Sequence, residues 1–383
     1  VIRKNSVRKT VRISQDTAAS AQAQPVSEIA QRRHDVAARF AELKLDAFLV
    51  TSSANVRYLS GFSGSNGMVV LTPSETHFFT DPRYALVASQ TIEGTVHVVK
   101  GPMLAGITKV IQRKKLKHIG FESSWCTYEQ FEKLKDQLPL GASLVPVGRV
   151  IEERRMLKSP AELAHIRRSV AINSKAFERA MKTVKPGMQE VELAAEIDFQ
   201  QKAFGAEGSS FDTIVAAGVR SALPHAHPSH ERLRENELLL IDMGSRYEGY
   251  ASDMTRVVHI GRPAKQIRDM YKAVLEAQLA GINAVRAGVT AGKVDAATRK
   301  VLKAQGLEHA FIHSTGHGLG LEIHESPRLG KKDQTVLKAG MAITIEPGVY
   351  LAGLGGIRIE DTVVVTETGC EVLTPTSKEF VQF

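Results

Sequence analysis

Four carboxylates stand inside apolar runs in the second half of this chain, in two copies of one pattern, and this duplication limits the available folds more than any other feature. Leu240-Ile241-Asp242-Met243-Gly244 is echoed by Thr344-Ile345-Glu346-Pro347-Gly348, and Asp253-Met254-Thr255 by Glu360-Asp361-Thr362. A similar turn and helix start appears in each half: Val184-Lys185-Pro186-Gly187 before a helix from about Gln189, and Val285-Arg286-Ala287-Gly288 before one from about Ala291. Each half therefore reads as two helices and a β-hairpin with one acid on each strand. Two hairpins facing each other across a pseudo-two-fold axis bring four carboxylates together, which is costly unless cations neutralise them.

Asp242 ends the apolar run 238–241 and Asp253 opens onto 257–260; Glu346 follows 341–345, and Glu360 lies within 357–365. Acids so placed are not on a solvated face, and the nearby cation in the pattern is Arg358, a single charge against four. The missing positive charge is most simply two divalent ions, with His317 of Thr315-Gly316-His317-Gly318-Leu319-Gly320 completing the ligand shell. Oxygen-rich ligation with one imidazole favours Mn2+ or Co2+, with Fe2+ or Zn2+ as further options, over a structural zinc. Two ions about 3.5 to 4 Å apart can share a water, lower its pKa toward neutrality and polarise a carbonyl. Any one of these acids alone reads as a structural ion pair; the five residues together read as a metal centre.

The rest of the 383 residues divides around this centre, a length that suits two domains. Short strands are predicted at 47–51, 68–72, 96–100, 118–122 and 143–147, separated by helical stretches such as 128–138. That alternation indicates an α/β N-terminal domain over 27–150. The charged run 151–158 reads as a linker. Ser159-Pro160-Ala161-Glu162 then supplies an N-cap, a proline at the first helical position and an acid in the first turn, so a long helix starts a second domain over 159–383. Leu163, Ile166, Val170, Phe177 and Met181 give that helix one buried face, and Ile267, Met270, Val274 and Ala277 form a second core stripe.

The net charge of +9 invites a nucleic-acid reading until its location is considered: Arg3, Lys4, Arg8, Lys9 and Arg12 all precede the first acid, Asp16. Residues 1–26 lack apolar periodicity and read as a disordered basic tail, a composition shared with organelle transit peptides but without the apolar segment of a secretory signal. The body is nearly balanced, so no nucleic-acid partner is expected. No apolar run approaches the roughly 20 residues that cross a bilayer, so no membrane association is expected either. Two cysteines, Cys126 and Cys370, are too few for a disulfide framework and fit a reducing, cytoplasmic setting.

The series Asp242, Ser252-Asp253-Met254-Thr255-Arg256, His313-Ser314-Thr315-Gly316-His317-Gly318-Leu319-Gly320-Leu321-Glu322-Ile323-His324-Glu325, Ile345-Glu346-Pro347-Gly348 and Gly356-Ile357-Arg358-Ile359-Glu360-Asp361 resembles the pita-bread metallopeptidases, in their aminopeptidase P and prolidase branch. The N-terminal part is similar to that of the creatinase and prolidase group through Asn55-Val56-Arg57-Tyr58-Leu59-Ser60-Gly61-Phe62 and Thr80-Asp81-Pro82-Arg83-Tyr84. The resemblance implies an α/β N-terminal domain plus an α+β pita-bread catalytic domain with an internal pseudo-two-fold repeat. It implies that Asp242 chelates one ion, that Asp253 and Glu360 bridge both, and that His317 and Glu346 hold the other, Glu346 also shuttling a proton. His225 and His324 match histidines that contact the scissile amide, as an oxyanion hole does. His313 matches a substrate-side histidine, while Arg358 and Thr255 orient the carboxylates. The implied activity is hydrolysis of Xaa-Pro bonds at the N-terminus of short peptides with proline in second position, by a homodimer; a strict Xaa-Pro dipeptidase is the alternative.

Two readings from other classes stand beside it. Relatives of this fold that serve as binding modules lose several ligand acids, whereas every one is present here. Gly316-His317-Gly318-Leu319-Gly320 lacks both Gly-x-Gly-x-x-Gly and a terminal Lys-Ser/Thr, so it is not a nucleotide loop. His227, His230 and His259 read as ordinary loop or core residues.

Overall fold

A computed structural model describes residues 27–382. The basic segment 1–26, read above as a disordered tail, lies outside the described residues.

The N-terminal part is built on a six-stranded sheet in the order Thr95–Val98, Thr76–Thr80, Gly67–Leu71, Ala47–Val50, His118–Glu122, Ser143–Val147. Gly67–Leu71 runs antiparallel to both neighbours and the other pairings are parallel. Strand alternation distributes the core to both faces: Phe48 and Val50 pack with Val36, Phe40 and Leu59 on one side, while Ala47 and Leu49 pack with Ile107, Val110 and Ile111 on the other. The strand Thr76–Thr80 is not among those predicted from the sequence. Its sequence, Thr-His-Phe-Phe-Thr, is short and lacks clean alternation, and it owes its place to pairing with Gly67–Leu71.

The run 151–158, expected to be a linker, forms the helix Val150–Arg155. Arg155 and Lys158 are buried because carboxylates of the second half meet them there: Arg155 lies 2.5 Å from Glu325 and 2.8 Å from Glu322, and Lys158 3.0 Å from Glu325. Charge density suggested solvent exposure, but partners remote in sequence neutralise it.

Beyond it the long helix Pro160–Met181 starts on a capping box, Ser159 and Glu162 each accepting the other's backbone N–H. Helices Glu190–Ala203, Lys265–Ala284 and Ala291–Ala304 follow. Among the stripe residues, Ile166, Val170, Phe177, Met181, Ile267, Met270, Val274 and Ala277 are buried. The helices cover two sheets: Met254–Ile260, Glu237–Met243, Ile214–Ala217 in one, and Glu325–Leu329, Gly316–Gly318, Ala342–Ile345, Asp361–Val365, Cys370–Val372 in the other. They meet where Glu360 N–H donates to Thr255 O (3.2 Å) and Thr362 Oγ1 to Asp253 O (2.9 Å). No helix among the described residues is long and apolar enough to cross a membrane, and both cysteines are free.

Candidate metal centre

Each acid reaches one cavity from a strand or its end. Asp242 is the sixth residue of Glu237–Met243, Asp253 directly precedes Met254–Ile260, Glu346 directly follows Ala342–Ile345, and Glu360 sits between Gly355–Arg358 and Asp361–Val365. The pattern of one acid on each strand thus holds for Asp242, while the other three stand at strand ends. Leaving the ladder frees them from sheet geometry. His317 is the middle residue of Gly316–Gly318, which lies so close to its neighbour that a Cβ on Gly316 would be 2.0 Å from the Thr344 carbonyl oxygen. Only glycine permits that approach.

Asp242, Asp253 and Glu360 are buried, and single ligand atoms of Asp253, His317 and Glu360 lie within 4.8 Å of one another. His317 Nδ1 is 2.9 Å from the Gly318 carbonyl, which can only accept, so Nδ1 carries the proton. Burial pushes the His317 pKa down, leaving the ring neutral with its Nε2 lone pair 3.5 Å from Asp253 and 3.4 Å from Glu346. Lone pair facing carboxylate is no hydrogen bond. Asp242 Oδ1 and Glu360 Oε1 are buried without a hydrogen-bond partner among the described residues. These orphaned oxygens and the unprotonated nitrogen are the donor set that a divalent cation takes.

The electrostatics agree. Burial, then Glu360, Asp242 and Glu346, raise the Asp253 carboxyl well above the usual range; burial, then Glu346 and Asp242, do the same to Glu360. Burial, opposed by Arg358 and reinforced by Asp242, lifts Glu346 to about 7. Arg358 is the guanidinium within the cluster. Burial works against its charge, but Tyr350, Asp242, Glu346 and Glu360 hold its pKa well above the ordinary value. It donates to Asp242 Oδ2 (2.6 Å), Thr255 Oγ1 (3.0 Å) and Tyr350 Oη (2.6 Å), and Thr255 Oγ1 donates onward to Glu360 Oε2 (2.7 Å). Thr344 Oγ1 reaches Glu346 Oε1 at 3.2 Å.

The three expected substrate-side histidines line the same cavity, whose volume is about 910 Å³. The His324 ring meets that of His317 edge-on, with centroids 4.4 Å apart. His225 lies at the rim, exposed, beside Pro224, whose carbonyl accepts from Arg358 (3.2 Å). His313 is already engaged: Nδ1 donates to Ser314 O (2.8 Å) and Nε2 lies 3.0 Å from the Tyr350 hydroxyl, while burial and Arg358 push its pKa down to about 4. His227 also lines the cavity, whereas His230 contacts Gln189 and His259 packs in the core against Phe380.

Sequence reasoning missed Tyr350, the hydroxyl joining Arg358 to His313, and the wall formed by Trp125, Arg149, Arg155 and Arg328. Tyr350 had a weak signal, an aromatic four residues after Glu346 on the strand Gly348–Leu351. The wall had none, since it draws on residues far apart in the chain.

The profile of metallopeptidase family M24 matches residues 164–367, and that of the creatinase/prolidase N-terminal domain matches 32–157. The chain belongs to metallopeptidase family M24. Its second half is therefore the family's pita-bread catalytic domain, and the first half its creatinase-type N-terminal domain. Relatives are close over most of their length. An Xaa-Pro dipeptidase of Pyrococcus furiosus is 37% identical over 342 residues, 89% of this chain and 96% of the relative. Among solved structures, an Xaa-Pro dipeptidase from Bacillus anthracis superposes with a TM-score of 0.90 at 36% identity, covering 93% of this chain and 100% of that one. An X-Pro aminopeptidase from Thermotoga maritima does so with 0.85 at 34% identity, covering 90% and 100%. An M24 Xaa-Pro peptidase accounts for all of these likenesses.

Proposed function

We propose that the chain is a two-metal hydrolase of Xaa-Pro bonds, with Xaa-Pro dipeptides its preferred substrates. The observation carrying the metal reading is the convergence of carboxylates on the neutral nitrogen of His317, with Asp242 Oδ1 and Glu360 Oε1 buried and partnerless among the described residues. Asp242, Asp253, His317, Glu346 and Glu360 would hold the ions, and so many oxygen donors with one imidazole favour manganese. Bound there, such ions supply a water of lowered pKa and polarise the scissile carbonyl. The side chains do the rest. Arg358 and Thr255 keep Asp242 and Glu360 aimed at the centre. Glu346, steadied by Thr344, takes the proton that the attacking water releases and passes it to the proline nitrogen. His324 and His225 donate to the oxygen and nitrogen of the amide as charge develops, and His313, locked to Tyr350, borders the substrate.

Two features bear on where the substrate ends. Arg149 and Arg328 line the cavity, and neither belongs to an ion pair among the described residues, so a free carboxylate directly after proline finds a cation there. That favours the dipeptide, the activity that names the Pyrococcus and Bacillus relatives. A volume of about 910 Å³ exceeds what a dipeptide fills and favours the aminopeptidase reading, the activity that names the Thermotoga protein. Manganese-loaded enzyme assayed on an Xaa-Pro dipeptide and on an Xaa-Pro-Yaa-Yaa peptide decides between them. The expected result is a dipeptide kcat/KM at least about ten-fold higher; equal or reversed values assign the aminopeptidase. Light scattering on the same sample checks the homodimer that the resemblance implies.

A further inference from the structure

The loop that carries His324 is fastened to the N-terminal domain by one buried guanidinium. Arg155, at the end of Val150–Arg155, donates to Glu322 Oε2 (2.8 Å), Glu325 Oε1 (2.5 Å) and Asn55 Oδ1 (2.7 Å). Its side chain is only 2% exposed. Glu322 and Glu325 flank Ile323 and His324. Glu325 also closes the loop on itself, since Oε1 accepts the Glu322 backbone N–H (3.1 Å) while Oε2 accepts from Lys158 (3.0 Å). Gly320 makes room for this: a Cβ there would stand 2.7 Å from Glu325 Oε1.

Asn55 fixes the other end. Its Nδ2 donates to Glu122 Oε1 and Glu152 Oε1, both at 2.7 Å, which directs Oδ1 to Arg155. Glu122 is itself pinned by the backbone N–H groups of Thr51 (2.6 Å) and Ser52 (2.8 Å), at the end of the strand Ala47–Val50. A continuous chain of hydrogen bonds thus runs from the N-terminal sheet through Asn55 and Arg155 to both sides of His324. Two of the acceptors share Nη2 and the third takes Nη1, a reach over two nitrogens that the single nitrogen of an ammonium does not reproduce.

We propose that Arg155 is a positioning residue, one that holds His324 in register with the metal centre from the N-terminal domain. The proposal rests on the reading of His324 as a donor to the scissile amide. Arg155 forms part of the cavity wall, hydrogen-bonds to none of the five ligands, and acts through the loop.

Full-length Arg155→Lys keeps the charge and loses the fork. The expected result is a kcat about ten-fold lower with KM within about two-fold and unchanged metal content. Hydrogen exchange should become faster in 321–326 while the core strands stay protected. In a His324→Gln background the same change should cost nothing further in kcat, because the group it positions is gone. Losses that multiply in the double variant, or wild-type exchange in 321–326, overturn the proposal. Wild-type turnover by His324→Gln alone defeats the donor reading instead, and the exchange comparison then decides whether Arg155 holds the loop. Should Arg155→Lys fail to fold, Glu322→Gln, at a partner whose side chain is 28% exposed, carries the same three comparisons.

Discussion

Glu346 concentrates the chemistry of this site in one side chain. It lies 3.4 Å from the His317 nitrogen, accepts from Thr344, and sits at about pH 7 before any cation arrives, whereas a solvated glutamate sits at 4.5. Held beside the centre, this carboxylate is placed to take a proton from the attacking water and return it to the leaving nitrogen. Glu346→Gln retains shape and one oxygen donor but loses the basic site. It should lower kcat by about 1000-fold while the melting temperature of the loaded protein stays within about 2 °C. Turnover near the wild-type rate would remove Glu346 from the proton path. Residues of this kind were legible in the sequence because an acid within an apolar run violates the ordinary partition of polar groups, and the violation recurs four times. Tyr350 and Arg155 violate nothing locally. A tyrosine on a strand and an arginine in a charged run are unremarkable until the fold supplies partners eight and 170 residues away.

At the scale of elements, the two hairpins are alike but not superimposable. Thr255 stands opposite Asp242 in the first, whereas its counterpart Thr362 stands opposite Thr344, two residues before Glu346, in the second. A shift of two leaves every side chain on its original face, so the carboxylates still converge. The duplication was legible; the shift was not, because strand register depends on pairing. Convergence makes the hairpins sensitive to pH when no cation is bound. Asp253, Glu346 and Glu360 are raised in the folded protein, chiefly by burial and with mutual repulsion adding. Groups raised by folding contribute stability that is complete below the unfolded value, near 4 to 4.5, and is lost as pH climbs through the folded value, about 7 for Glu346. The melting temperature of chelated protein should therefore fall behind that of manganese-loaded protein by a margin that widens from about pH 5 to about pH 8. Calorimetry of both forms across that range measures it, and a constant margin would mean that these carboxylates do not face one another.

At the scale of the whole molecule, the expected division into two domains came from strand and helix patterning, but the strength of their union could not be read that way. One apolar cluster crosses the boundary: Val36, Phe40, Leu59, Val150 and Ile151 pack in the same core as Ile166, Val170, Leu319, Leu321 and Val364. Polar ties reinforce it. Glu162, the acid of the long helix's capping box, lies 3.3 Å from Arg32 of the helix Glu28–Ala37, and Arg155 binds Glu322 and Glu325. Contacts between residues so distant in sequence leave no periodic trace in either segment. Domains joined by a shared core should not melt separately, because unfolding either one exposes apolar surface on the other. A single calorimetric transition is expected, with its van't Hoff enthalpy equal to its calorimetric enthalpy. The fragment 159–383 alone should melt at least about 10 °C lower, since it would present Leu319 and Leu321, both buried in the intact chain, to water. Two resolved transitions, or a fragment as stable as the full chain, would mean that the N-terminal domain rests on the catalytic half without supporting it.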